Sequence, residues 1–159
     1  MQHATSSMSR RQIAVKAMCL FEHEGRVLLT RGYDSVKDEH FYRVPGGHVE
    51  FGERAEEAVR REIIEELNSE IEDLVFERVV ENIFQYQGAP GHEIVFIYTG
   101  RLGNQALYEK DVISYLEHDG SHHEAVWVPL ADVLSGAART YPACDYRAIL
   151  SDRVRAGMS

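Results

Sequence analysis

Cysteine, tryptophan and proline are scarce in these 159 residues, at two, one and four copies. Cys19 and Cys144 lie far apart, and neither belongs to a CxxC or Cys/His spacing. That excludes a disulfide-stapled scaffold and a zinc finger, and it points to a reducing, cytoplasmic compartment. Long apolar runs are also missing. No segment approaches the ~18 residues that cross a bilayer, and the opening MQHATSSMSRRQ lacks the apolar centre of a signal peptide. A soluble protein with no membrane partner is expected, with residues 1–11 as a flexible polar leader. Positive charge is short as well: 17 Lys and Arg face 26 Asp and Glu, for a formal net charge of -9. Long nucleic acids are held by clustered cations, so no long nucleic acid, capped RNA included, is expected as a partner.

What is present is the composition of a globular chain, 44% hydrophobic and 27% charged. The length suits one core, and residues 12–156 are expected to form a single domain. QIAVKAMCLF, the turn signal His23-Glu24-Gly25 and RVLLT read as a hairpin. RGYDSVKDEH reads as a polar loop before a short strand FYRV, which Pro45-Gly46-Gly47 stops. A helix is expected from near Glu53 to Leu67, ended by Asn68, a residue that tolerates the left-handed conformation. LVFERVVENIFQYQ and HEIVFIYTGRL read as long antiparallel strands joined by a GAPG turn. Residues 104–121 carry no clear period. AVWVPL then reads as a strand, LADVLSG as a short helix and 141–156 as a closing helix. Strands in hairpin pairs around one central helix place the chain in the α+β class, as a sandwich.

The acid is concentrated. From Gly46 to Glu70 there are eight Glu against three Arg, a local balance of -5. At ~100° per residue, with Glu62 at zero, Glu66 falls at ~40° and Glu65 at ~300°. The three carboxylates therefore share one side of the helix, overlapping the apolar edge formed by Ala55, Ala58, Val59, Ile63 and Leu67. A merely solvated helix would use Glu57/Arg61 and Arg61/Glu65 as i, i+4 pairs. Converging, half-buried carboxylates instead repel one another unless a cation is supplied, and a hard divalent ion such as Mg2+ suits oxygen ligands. Pro45-Gly46-Gly47, leading to the helix, lets backbone approach closely and offers carbonyls to a metal and amides to a phosphate.

Gly47, five residues, Glu53, seven residues, Arg61-Glu62-Ile63, one residue and Glu65-Glu66 together resemble the signature of the Nudix hydrolases. Asn68 departs from that signature where it has glycine, and Ser69 departs where it has an aliphatic residue; Ile71 is placed to fill the pocket left by Ser69. The resemblance implies an α/β/α sandwich on a mixed β-sheet core. It also implies an enzyme, a pyrophosphohydrolase acting on a nucleoside diphosphate linked to another moiety. The substrate would be a small nucleotide: a nucleotide sugar, an ADP-ribose-like compound or a nucleoside triphosphate. Carried over by position, Glu62, Glu65, Glu66 and the Gly46 carbonyl hold Mg2+ or Mn2+. Arg61 orients a glutamate, and Glu53 pairs with Arg61.

Hydrolysis also needs a general base within reach of a water. Glu62 is one candidate; Glu93, Glu117 and Glu124 are others, with Glu124 preferred for its place before the AVWVPL strand. Gly46, Gly47, Arg31 and Arg43 are candidate substrate contacts. Tyr33, Phe41, Tyr42, Phe84 and Trp127 could stack on a base, although core packing explains strand aromatics more simply. His118, His122 and His123 lack zinc-site spacing and read as a solvated loop. Specificity is expected from residues 33–40 and 105–121. The long paired strands leave a homodimer open. The rival reading is a catalytically silent nucleotide-binding sensor of the same fold, which would be expected to have lost the acidic ligands that this chain keeps.

Overall fold

The computed structural model describes residues 11–150. The expected leader and the far end of the closing helix lie outside the described residues. Nine strands run β1 (Ala14–His23), β2 (Arg26–Asp34), β3 (Glu39–Arg43), β4 (Gly46–His48), β5 (Ile71–Tyr86), β6 (Ala89–Leu102), β7 (Val112–Leu116), β8 (His122–Pro129) and β9 (Thr140–Tyr141). Helix α1 (Ala55–Leu67) follows β4, a 3₁₀ turn (Gln105–Glu109) follows β6, and α2 (Leu130–Ser135) follows β8. Residues 146–150 are helical.

Two groups of strands share β1. One is ordered β5-β6-β1-β4 and the other β7-β8-β2-β3-β9. The first hairpin is narrower than its sequence suggests: β1 and β2 pair only at Glu22↔Val27 and His23↔Arg26. Beyond that junction β1 turns to β6, its parallel neighbour from Ala14↔Glu93 to Phe21↔Gly100. The two groups thus split apart, and Val44-Pro45 crosses between β3 on one and β4 on the other.

Alternation along β1 explains its central position. Ala17, Cys19 and Phe21 pack in a core beneath α1, while Met18 and Leu20 pack in a second core with Val27, Leu29, Val95, Ile97, Tyr146 and Ile149. A strand buried on both faces reads as a continuous apolar run, as AMCLF does. The α+β fold is therefore layered, with α1 on one face and the C-terminal helical segment on the other. Each fully buried aliphatic chain, Ile63 or Ile97 for example, contributes ~1.5–3 kcal/mol.

Several boundaries move from the sequence expectation. The β5–β6 turn is Gln87-Gly88, both at positive φ (53° and 79°), so GAPG is not the turn and Pro90 lies in β6. Proline is tolerated there because β6 has not yet met β1, whose pairing begins at Glu93. The polar stretch after Thr30 is mostly strand, since β2 runs to Asp34 and β3 starts at Glu39. The 104–121 stretch contains the 3₁₀ turn and β7, whose alternation is only five residues long. Gly46-Gly47 forms a strand against Lys16–Met18 rather than a stop.

Candidate active site

Helix α1 buries two adjacent i, i+4 rows: Ala58, Glu62, Glu66 and Val59, Ile63, Leu67. The second row and Ala58 are core. Glu62 and Glu66 occupy core-facing positions, each 8% exposed, in the half of the helix nearer its negative dipole end. Carboxylates are unfavourable there, and the last turn carries no basic residue, so helix stability does not explain them. Asn68 closes the helix at φ 52°, ψ 48°, with its N–H donating to Ile64 O. The left-handed cap survives the loss of glycine. Ser69 is 4% exposed; its hydroxyl donates to Glu70 O at 2.8 Å and accepts from Asn104 N at 3.0 Å. It fills a polar niche, and Ile71 supplies the apolar packing beside Leu67.

Arg61 organises the carboxylates. Its Nε and Nη2 donate to both oxygens of Glu53 at 2.8 and 3.0 Å, and its Nη2 also donates to His48 O at 3.0 Å. Its Nη1 donates to Glu62 at 2.9 Å and to Glu65 at 3.3 Å. The bidentate bond holds the Glu53 carboxyl down at about 2, helped by the Glu50 N–H. Glu57 does not join this group. It accepts from Arg54 N at 2.9 Å and so caps the helix.

The glycines are set by close approach. A Cβ on Gly47 would stand 2.4 Å from Glu62 Cδ, and one on Gly46, at φ +147°, would stand 2.1 Å from Ala17 O. Only glycine lets β4 lie between β1 and the Glu62 carboxylate.

Glu66 is the most perturbed acid. Burial, then the charges of Glu117 and Glu62, push it up to about 8, with Tyr115 and Arg43 opposing. Its Oε1 is buried with no hydrogen-bond partner among the described residues. An orphaned carboxylate oxygen facing other carboxylates fits a hard divalent cation. Among the described residues no three acidic, imidazole or thiol groups already stand in coordinating geometry. The reason is visible: Glu62 is turned to Arg61, and Glu65 is shared between Arg61 and His118 Nε2, the latter at 3.0 Å. Ligation there requires those ion pairs to loosen.

The structure sorts the proposed bases. Glu117 borders the cleft with Glu62, Glu65 and Glu66. Glu124, the preferred candidate from sequence, is instead on β8, bonded to Arg31 at 2.7 Å with both side chains about half exposed. Glu93 is likewise elsewhere, with Lys16 and Asn82. The end of β7 and the start of the β7–β8 loop bring Tyr115, Glu117 and His118 to α1, whereas Glu124 lies within β8. His123 stacks on Tyr115, with ring centroids 5.6 Å apart.

A narrow cleft lined by Lys16, Met18, Arg43, Gly46, Glu66 and Glu117 adjoins a larger cavity of about 630 Å³, which shares Lys16, Met18 and Arg43. Arg43, whose Nε is buried without a partner among the described residues, stands at the junction, and Arg31 borders the larger cavity. Tyr33, Phe41 and Phe84 line that cavity. Trp127 does not; it donates to Leu107 O at 3.1 Å and stacks on Tyr108. Tyr42 faces a separate shallow groove. Lys16 and Asn82 were missed by sequence reasoning, although a lysine inside the apolar run IAVKAMCLF was the signal that found no use.

The family model of the Nudix domain matches residues 10–148. The chain belongs to the Nudix family. A MutT Nudix hydrolase from Burkholderia pseudomallei is similar at 26% identity and TM-score 0.53, over 87% of this chain and 94% of that one. A Nudix hydrolase from Nitrosomonas europaea is similar at 17% identity and TM-score 0.56, over 92% and 90%. A protein described as an ADP compounds hydrolase is similar at 20% identity and TM-score 0.50, over 89% and 70%. The last two show the Nudix fold alone. Family membership makes the chain a Nudix-type pyrophosphohydrolase.

Proposed function

We propose that the protein hydrolyses the pyrophosphate bond of a small nucleotide, a nucleoside diphosphate linked to another moiety, with Mg2+ or Mn2+ held by Glu62, Glu65, Glu66 and the Gly46 carbonyl. The observation that carries this is the buried, partnerless Oε1 of Glu66 among Glu62 and Glu117, beside a cleft that opens into an aromatic and basic cavity. Bound there, the metal would neutralise phosphate oxygens and acidify a water.

The chain's own residues have separate tasks. Arg43, at the mouth shared by cleft and cavity, binds phosphate oxygens. Gly46 and Gly47 let backbone reach the metal and the substrate. Arg61, fixed by Glu53, positions Glu62 and Glu65, which with Glu66 would hold the metal. Glu117, on the loop facing α1, accepts the proton of the attacking water, and Glu62 is the alternative base. General-base catalysis is worth ~10²–10⁴ in rate, so Glu117→Gln would fall in that range if it is the base.

The test is Glu66→Gln, assayed against a panel of ADP-ribose, nucleotide sugars, dinucleoside polyphosphates, NADH and nucleoside triphosphates with each metal. Loss of one electrostatic anchor is expected to lower kcat/KM by ~10²–10³. The metal-free variant should melt no lower than the parent, because the cost of burying an ionisable carboxyl beside Glu117 and Glu62 is removed, and Mg2+ should no longer raise its melting temperature. Near-normal Mg2+-dependent turnover in Glu66→Gln would remove that residue from the metal site.

A further inference from the structure

The floor of the large cavity holds a polar cluster that hydrolysis does not use. Lys16 Nζ stands 2.5 Å from Glu93 Oε2, and Asn82 Nδ2 donates to Glu93 Oε1 at 3.2 Å. Glu93 and Asn82 are 7% and 8% exposed. Asn82 and Glu93 are directly paired across β5 and β6, and Lys16 lies two residues along β1 from Ala14, the parallel partner of Glu93. An ion pair this deep adds little to stability, since desolvation offsets the attraction. All three residues nevertheless border the cavity.

The walls of the cavity are aromatic. Phe41, only 9% exposed, is held between Gly32 and the rings of Tyr86 and Tyr141. Phe84 lies across Gly91 of β6, where a Cβ would meet its ring at 2.3 Å; the glycine lets the ring lie against the neighbouring strand, which leaves a face for a planar heterocycle. Arg43 and Lys16 border both this cavity and the carboxylate cleft, so a base seated here is joined to phosphates at the cleft.

Along their contacts the groups run Asn82 Nδ2, Glu93 Oε1, Glu93 Oε2, Lys16 Nζ, of which the last three are acceptor, acceptor, donor. Each carboxylate oxygen keeps a lone pair after its present bond, and an ammonium has only donors. The matching ligand edge is donor, donor, acceptor. Among the common bases only guanine offers it, through its exocyclic amine, its ring N–H and its carbonyl. Adenine and cytosine present one amino donor beside a ring acceptor, and no rotation in the plane gives them two adjacent donors. Uracil sets a carbonyl against a carboxylate oxygen.

We infer that the Lys16–Asn82–Glu93 cluster is a guanine-reading subsite, with Glu93 the specificity-determining residue. This rests on the reading of the site as a nucleotide pyrophosphohydrolase, and it is tested without turnover. Mononucleotides have no pyrophosphate to cleave, so calorimetric binding of GMP, IMP, AMP, UMP and CMP in Mg2+ measures base recognition alone. GMP is expected to bind about tenfold tighter than IMP, which lacks one donor, and tighter still than AMP and CMP. In Glu93→Gln the GMP-to-AMP affinity ratio is expected to collapse toward one, and a ratio does not depend on the fraction of protein folded. AMP binding as tightly as GMP, an unchanged ratio in Glu93→Gln, or no mononucleotide binding would each overturn the inference. Guanine discrimination without hydrolysis of the guanine-containing nucleotide sugars, dinucleoside polyphosphates and triphosphates would instead overturn the pyrophosphohydrolase reading and leave the subsite standing.

Discussion

At the scale of single residues the site is built on contacts too close for substitution. Gly47 supports the Glu62 carboxylate from a distance at which no side chain fits. Gly47→Ala should therefore act on chemistry through Glu62 more than on folding, because β4 pairs with β1 through its backbone. Expected is a loss of ~10–100-fold in metal affinity or activity with a small change in melting temperature; a variant of normal metal affinity would refute the contact. Glu53 gives a pH signature. Its folded-state pKa of about 2 lies below the ordinary 4.5 because of Arg61. The stability it contributes is complete above ~4.5 and is lost as pH falls toward ~2. Glu53→Gln should lower stability at neutral pH and flatten the dependence between those values, as read by urea unfolding along a pH series.

At the scale of elements, α1 shows what a pattern can and cannot carry. Its spacing of apolar and acidic residues made the helix, its buried face and the carboxylate cluster legible, and Asn68 made its end legible. The cap is tested directly: Asn68→Gly should leave the melting temperature unchanged or slightly raised, whereas Asn68→Ala should cost about 1 kcal/mol for a left-handed residue with a plain Cβ, or ~2–4 °C in a domain of this size. Equal melting for both variants would mean the cap carries no strain. Other elements were less legible for physical reasons. The hairpin of β1 and β2 was read from adjacency, but β1 is buried on both faces and its long partner is β6, which no local signal announces. The β7 strand alternates over only five residues, too few to stand out. Glu117 and Glu124 are seven residues apart in one polar stretch, and only the register of β7 against β8 decides which of them meets α1. The floor joins Lys16 of β1 to Asn82 and Glu93 of the β5–β6 hairpin, far along the chain, so each residue alone reads as an isolated polar intrusion.

At the scale of the whole molecule, the net charge of -9 and a phosphate-rich substrate stand in tension that the architecture resolves locally. Glu62, Glu65, Glu66 and Glu117 line one cleft, and Glu66 and Glu117 also line a second that holds Arg43 and Lys16. Without a divalent ion the carboxylates repel an incoming pyrophosphate by about 3 kcal/mol for each pair of unit charges ~5 Å apart at an effective dielectric of ~20. Two basic side chains do not cancel that. With the ion in place the excess negative charge at the cleft would be offset and a cation would face the phosphate oxygens, while the acidic remainder of the surface would still disfavour long polyanions, whose many phosphates would contact it. A non-hydrolysable diphosphonate should thus show no calorimetric binding in chelator and measurable binding once Mg2+ is added. Raising salt should weaken the Mg2+-loaded complex only modestly, because the attraction is confined to a cleft narrower than the ~10 Å Debye length. Tight diphosphonate binding in chelator would mean that Arg43 and Lys16 alone outweigh the glutamates, and the acidic helix would then have to be explained in some other way.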